Sequence, residues 1–385
     1  MSRILTVLLM LCVFAAACTG TDNQDQVMSS ENASLKEVYL QPKEHQEYTQ
    51  EITLSAIGDI LIHSPVYKDA KGEDGYDFLP MLEKVRPYLE QPTITIANQE
   101  TMIGGEELGL STYPSFNSPH EVGDALKEVG VDVVTIANNH TLDRGEEAVQ
   151  NAIEHWETID MMYTGSYKDQ EDREKVRVYE TGEGVSVAFL SYTYGTNGIP
   201  VPEGKDFLVN LIDKEWMESE IDKAKELADA VILSLHFGNE YERYPDDTQK
   251  DLVQFAADQG VHAVIGHHPH VLQPMEWVTG KNDNETLVVY SLGNFLSNQQ
   301  GLYKRIGGIT NFSIKKTEKG DRVDIEVHSP EFMPTYVTFD ANQTNYRVVP
   351  MNQLTNEELS GAKSHYEEIK AHMSQWMPEL EFIEE

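Results

Sequence analysis

Apolar and polar positions divide this chain into three regimes. Ile4 to Phe14 is an apolar run broken only by Thr6, too short to span a bilayer comfortably. Residues 19 to about 50 carry no sustained apolar period and are rich in Gln, Glu, Asp, Ser and Thr, the composition of a flexible stalk. From Glu51 onward, short β-rich runs alternate with amphipathic stretches. The run Ile52–Ile57 ends at Gly58–Asp59, a helical stretch is expected near Phe78–Leu89, and a second strand is expected at Thr93–Ala97. Val122, Ala125, Leu126 and Val129 fall at helical spacing with Gly130 as a stop. They lead into the strand-like run Val131–Ala137, and Ala148, Val149, Ala152, Ile153 and Trp156 then line another helix. The second half repeats the style. A helix over Lys214–Leu227 precedes Ala230–Leu235, and a helix opened by Pro245–Asp246–Asp247 precedes His262–Ile265. Strand-like runs follow at Thr286–Tyr290, Gly308–Lys315 and Arg322–His328, and the tail from Leu354 to about Met373 reads as one exposed helix. Alternation of continuous apolar strands with helices predicts an α/β fold.

The polar residues gather just after the apolar strands. Asp59, Asn98 and Glu100, Asn138, Asn139 and His140, His236, and His268 and His270 each follow such a run. In open α/β sheets ligands bind beyond the carboxyl ends of the strands, so these groups are expected to converge on one site. Imidazole, carboxylate and an Asn carbonyl suit Mn, Zn or Fe, and the set is large enough for one or two divalent ions. His63 and His267 are further candidates, each balanced against a structural role. Asp143 is either an N-terminal residue of the next helix or the group that orients His140. His45, His155, His262, His328, His365 and His372 read as ordinary loop, strand or surface histidines.

Composition narrows the chemistry. The 385 residues include 40% hydrophobic and 24% charged positions, a globular balance for one large domain or two small ones. A formal charge of −36 excludes a protein that grips nucleic acid electrostatically. Both cysteines, Cys12 and Cys18, lie near the N-terminus, which excludes thiolate metal sites in the body of the chain. No GxSxG, P-loop or dinucleotide fingerprint is present.

Met1–Ser2–Arg3, the apolar run and Ala15–Ala16–Ala17–Cys18 together resemble a bacterial lipoprotein signal. That likeness implies cleavage before Cys18, lipidation of Cys18, and a protein tethered to the extracytoplasmic face of the cell membrane. The expected organisation is a signal peptide over 1–17, a stalk over 18–50, one domain over 51–340 and a helical tail over 341–385. The segments IGDILIH (57–63), ANQE (97–100), VVTIANNHTLDRG (133–145), SLHFGNEYERYP (234–245), VIGHHPHVLQP (264–274) and VYSLGNFLSNQ (289–299) resemble the CapA family of capsule and poly-γ-glutamate synthesis proteins. That family is similar to calcineurin-like metallophosphoesterases, which implies a four-layer sandwich of two central sheets flanked by helices. The resemblance makes Asp59 the bridging or first-metal carboxylate, Asn139 a ligand of a second metal, and His140 the proton donor to a leaving group. His236, His268 and His270 would complete the metal shells. Leu61 stands where the phosphoesterases carry a histidine, and Glu100 substitutes for their second aspartate. The implied partners are a polyanionic capsule polymer and its membrane synthetase. The same residues also admit an inactive polymer-binding scaffold or a general extracellular phosphoesterase.

Overall fold

The computed structural model describes residues 47–384. The signal peptide, Cys18 and most of the stalk lie outside the described residues. The first sheet begins with β1 (Glu47–Leu61), whose inner half is apolar on alternate faces. Three short helices follow, α1 (Ser64–Asp69), α2 (Leu79–Leu82) and α3 (Arg86–Leu89). Then β2 (Ile94–Gln99), α4 (Glu121–Glu128), β3 (Val133–Thr135), α5 (Gly145–Thr158) and β4 (Met162–Thr164) add parallel strands and their covering helices.

After α6 (Gln170–Arg173) the chain builds a second sheet. Its strands are β5 (Arg177–Glu180), β6 (Ser186–Thr193), β7 (Ala230–His236), β8 (Ala263–His267), β9 (Leu272–Thr279) and β10 (Glu285–Leu292). Helices α7 (Lys214–Leu227) and α8 (Asp247–Asp258) supply the crossovers. The strand order is β5-β6-β7-β8-β10-β9, with β6, β7, β8 and β10 parallel and the two edge strands antiparallel. The chain then returns to the first sheet through β11 (Asn294–Ser297), the long hairpin β12 (Ile306–Lys319) and β13 (Arg322–Thr338), β14 (Arg347–Pro350), α9 (Ala362–Met373) and β15 (Glu381–Phe382).

Strand alternation sorts the core into layers. Ile52, Leu54, Ile94, Ile96 and Val133 of the first sheet pack against Val187, Phe189, Ile232, Ile265 and Val289 of the second. Their neighbours in sequence point the other way. Ile57, Ala97 and Val134 meet the helices around α4 and α5, whereas Ala188, Val231, Leu233 and Val264 meet α7 and α8. The result is helix, sheet, sheet, helix, the four-layer arrangement expected. Each fully buried Ile or Leu of the middle layer contributes about 1.5–3 kcal/mol, so apolar residues hold the two sheets together, and Asn98, His236 and His267 stand at the ends of the same strand faces.

Several elements differ from the sequence expectation. Strand β1 starts at Glu47, inside the expected stalk, because its polar outer half pairs with the equally polar end of β12, Glu47 opposite Lys319. It also continues through Gly58–Asp59 to Leu61, with a register shift there and a new partner in β11. The helical stretch 78–89 is two single turns, because Pro80 and Pro87 sit in the first turn of α2 and α3 and cannot continue a helix from before. Helix α9 is shorter than the expected tail helix and is not exposed: Tyr366, Ile369 and Met373 join the core between the sheets. Among the described residues no helix is long and apolar enough to cross a membrane.

Backbones approach closely at Gly58 and Gly266. A Cβ on Gly58 would stand 2.1 Å from Gly293 O, and one on Gly266 would stand 2.0 Å from Tyr290 O. Gly266→Ala therefore forces β8 and β10 apart and is expected to cost at least about 3 kcal/mol. Guanidinium unfolding followed by intrinsic fluorescence checks this; a midpoint equal to that of the parent protein would contradict the close approach.

Candidate functional site

The carboxyl ends of β1, β2, β3, β7 and β8 meet where the two sheets face one another. Asp59 lies one residue past the Gly58 bulge, completely buried, with its backbone N–H donating to Gly293 O at 2.8 Å. Its Oδ1 accepts from Asn98 Nδ2 (2.8 Å) and faces His267 Nδ1 (3.1 Å), while Oδ2 faces His270 Nδ1 (3.1 Å). Burial alone would raise this carboxyl, but the hydrogen bonds and positive charge of His267 and His270 hold it well below the usual carboxylate range.

Glu100, the residue after β2, is the converse. It is fully buried and neither carboxylate oxygen has a hydrogen-bond partner. Burial, with the Asp59 and Glu240 charges adding to it, pushes the carboxyl well above its usual range. His236 Nε2 and His270 Nε2 each stand 3.6 Å from Glu100 Oε1, and Asn139 Oδ1 is 2.9 Å from His236 Nε2. Ligand atoms around one divalent ion with bonds near 2.1 Å are separated by about 3.0–3.5 Å. A carboxylate with both oxygens orphaned in a dry interior, at this spacing from imidazole nitrogens and an Asn oxygen, is a candidate cation site.

Ligand atoms lying within 4.8 Å of one another form the groups Glu100–His236–His268, Asp59–Glu100–His270 and Glu240–His268–His270. Glu100 belongs to the first two, so it is the carboxylate shared between them, and Asp59 belongs to one. Burial and the charge of His270 push His268 down to about 3, and burial followed by the His268 charge holds His236 well below its ordinary value. Both imidazoles are therefore neutral and able to ligate. His270 goes the other way: burial opposes its charge, yet Glu100 and Asp59 raise it to about 9.

The remaining expected residues take identifiable places. His140 Nδ1 lies 2.8 Å from Asp143 Oδ2, and that oxygen also accepts from Phe116 N at 2.7 Å. Asp143 thus orients His140 and precedes α5, which starts at Gly145 with Arg144 as its cap. A carboxylate acceptor at Nδ1 fixes the proton there and leaves Nε2 for other work. Phe116 packs edge-on against the His140 ring at 4.7 Å.

Four candidates are tied to the protein instead. Asn98 donates to Asp59 and accepts from Thr135 Oγ1, tying side chains together, and Asn138 donates to Gln99 O and accepts from His140 N, holding the backbone in place. His63 bonds Leu61 O through Nδ1 at 3.0 Å and stacks edge-on with Phe116, outside every candidate metal group. Burial pushes it down to about 4. His267 touches Asp59 alone within the cluster. His262, read as ordinary, accepts from Val231 N and is structural.

Sequence reasoning missed Glu240, Asn294 and Asn197. Glu240 lies in the loop after β7 and reaches His268 and His270. Asn294 Oδ1 lies 3.1 Å from His270 Nδ1, and Asn197 Oδ1 accepts from Asn139 Nδ2. The first two stand within the segments SLHFGNEYERYP and VYSLGNFLSNQ, whose match to a family pattern was the available signal.

Fold and site together define a four-layer α/β protein with a buried His, Asn and carboxylate cluster that is a candidate metal site. The chain belongs to the bacterial capsule synthesis protein family PGA_cap, which matches residues 53–299. The capsule biosynthesis protein CapA of Bacillus anthracis is 27% identical over 333 residues, covering 83% of this chain and 77% of that one. The PGA biosynthesis protein CapA of Bacillus subtilis (strain 168) is 27% identical over 287 residues, 72% of each chain. Among solved structures, a Staphylococcus aureus protein provisionally assigned as a 5'-nucleotidase superposes with a TM-score of 0.42 at 14% identity, over 83% of this chain and 58% of that one. A score this low carries no inference about this chain.

His270 and Glu100 lie against one another and share a proton that a divalent cation must displace. That proton is lost more readily as pH rises, so apparent affinity for Mn²⁺ or Zn²⁺ is expected to rise up to about tenfold per pH unit between pH 6 and 8. Calorimetric titration of metal-depleted protein in two buffers of different ionisation enthalpy measures the release. Affinity independent of pH would place the ion elsewhere, and Glu100→Gln should abolish micromolar binding.

Proposed function

We propose that this protein is a membrane-anchored, extracytoplasmic component of capsule or poly-γ-glutamate synthesis or export that carries a metal-dependent hydrolase-type site. Family membership supports the polymer, and the Ala15–Ala16–Ala17–Cys18 pattern supports the lipid anchor. The observation that carries the hydrolytic part is Glu100, a fully buried carboxylate with both oxygens unpartnered between two sets of imidazoles. An inert scaffold has no reason to retain an uncompensated buried acid, because such a group destabilises the fold unless a cation or substrate meets it.

Glu100, His236, His268 and Asn139 would hold one ion, and Asp59, Glu100 and His270 a second. Bound Mn, Zn or Fe would supply Lewis-acid polarisation of a phosphoryl or carbonyl oxygen. The chain's own groups do the rest. Asn98 and His267 fix the Asp59 carboxylate, and Asp59 and Asn294 fix the His270 ring. In its imidazolium form His140 keeps Nδ1–H on the Asp143 carboxylate and gives the Nε2 proton to the departing oxygen or nitrogen. Membrane synthetase subunits are the expected partners.

In cells making the polymer, Glu100→Gln and His140→Ala are expected to reduce surface or released polymer at least tenfold while the protein remains at parental abundance. Asp143→Asn should give a smaller loss, since it misorients His140 without removing it. Polymer output unchanged by both Glu100→Gln and His140→Ala, measured by immunoblot-normalised polymer assay, would leave a binding role and remove catalysis.

A further inference from the structure

Two loops frame the mouth of the cluster, one after β7 (237–246) and one after β11 (298–305). Two cation–aromatic stacks of opposite sense fasten them together. Arg243 of the first loop lies with its guanidinium carbon 3.9 Å from the Tyr303 ring centroid of the second, and Lys304 of the second lies with Nζ 4.6 Å from the Tyr241 ring centroid of the first. The stacks differ in charge balance. Arg243 is neutralised by Glu368 of α9 at 2.7 Å, whereas Lys304 makes no ion pair among the described residues.

The Lys304–Tyr241 stack is tied directly to the site. Lys304 O accepts from Asn294 Nδ2 at 2.8 Å, and Asn294 Oδ1 meets His270 Nδ1. On the other side Tyr241 N donates to Pro269 O at 2.7 Å, and the Tyr241 and His270 rings stand 6.2 Å apart. Tyr241, His268 and His270 all hold left-handed backbone, with φ of 68°, 97° and 58°. Strained non-glycine residues concentrated at one mouth are retained where the position of a side chain matters. Tyr241 and Tyr194 are also about half exposed, and Tyr194 stacks on His268 at 4.7 Å. Glu240, next to Tyr241, is drawn toward the His268 and His270 nitrogens.

We propose that Lys304, seated on Tyr241, is an anion subsite that receives a carboxylate of an acidic polymer chain while the neighbouring part of that chain lies at the histidine–carboxylate cluster. This rests on the capsule-polymer reading above and adds how the polymer is recognised. A chain of −36 formal charge repels a polyanion at long range, so attraction has to come within a Debye length of about 8 Å. An ammonium without a carboxylate partner, held beside a cation-binding cluster, supplies it. A phosphate presents the same charge to Lys304, and the probes below separate the two.

The full chain in detergent, loaded with Mn²⁺, is titrated with a fluorescent poly-γ-glutamate oligomer, with inorganic polyphosphate of matched charge, and with neutral dextran. The expected result is binding of the glutamyl oligomer, weaker binding of polyphosphate and none of dextran. Lys304→Met and Lys304→Gln should each weaken the oligomer about tenfold and flatten its salt dependence, while Lys304→Arg keeps most of the affinity. Melting temperature and Mn²⁺ affinity should stay at parental values in all three. Equal oligomer affinity in Lys304→Met and parent overturns the subsite and leaves the capsule reading standing. Preference for polyphosphate overturns the carboxylate assignment. If the parent binds neither anion, the subsite fails; the cellular polymer assay of Glu100→Gln then decides separately whether the capsule reading fails with it.

Discussion

Two fully buried carboxylates, Asp59 and Glu100, set the constraint around which the middle of this protein is arranged. An ionised carboxylate in a low-dielectric interior is costly unless cations or hydrogen bonds meet every lone pair. Asp59 meets that demand from within the protein, through Asn98, His267 and His270. Glu100 does not: neither oxygen has a hydrogen-bond partner, and the His236 and His270 nitrogens stand 3.6 Å from Oε1. The asymmetry is one of support: Asp59 is fixed by its amide and imidazole neighbours, and Glu100 is left without a partner.

Delivering these groups to one place is the work of the double sheet. Parallel strands of both sheets end on the same side, and each contributes one or two residues just past its last apolar position. Alternating faces keep the apolar remainder of each strand in the cores above and below, with the site residues confined to the strand ends. Gly58, Gly266 and Gly293 let three backbone segments come closer than any side chain would permit. The bulge at Gly58 turns Asp59 inward, and the approach at Gly266 aims His267, His268 and His270 at it. Stability and chemistry are coupled there, since the contacts that draw the strands together also set the distances between ligands.

The site was legible in the sequence to the extent that strand ends were legible. Asp59, Glu100, Asn139, His236, His268 and His270 each follow a continuous apolar run, a pattern that survives without knowledge of the fold. Asn98 and Asn138 follow the same runs, yet their amides are spent on backbone and on Asp59, and residue type does not separate a ligand from its support. Glu240 and Asn294 were missed for a different reason. Each belongs to a loop whose relation to the imidazoles depends on the pairing of β1 with β11 and on the Tyr241 to Pro269 hydrogen bond, both long-range facts. Likewise β1 was cut short at Gly58 because a glycine before an aspartate reads as a turn, whereas here the glycine makes room for a crossing backbone. Pro80 and Pro87 were visible throughout, and their position inside an apolar stretch was enough to split the expected helix.

Acidity, which at first only excluded nucleic acid, acquires a direction once the cluster is placed. Most carboxylates of the described chain are solvated or paired with surface lysines and arginines, where each pair is worth little. Such a surface discourages any polyanion from settling on the protein at random. At the mouth of the cluster His270 and the Lys304 ammonium shift the balance locally, and a bound cation would shift it further. A negatively charged chain is then repelled everywhere except where its own charges can be met, and a weak general repulsion becomes a means of choosing the place of contact.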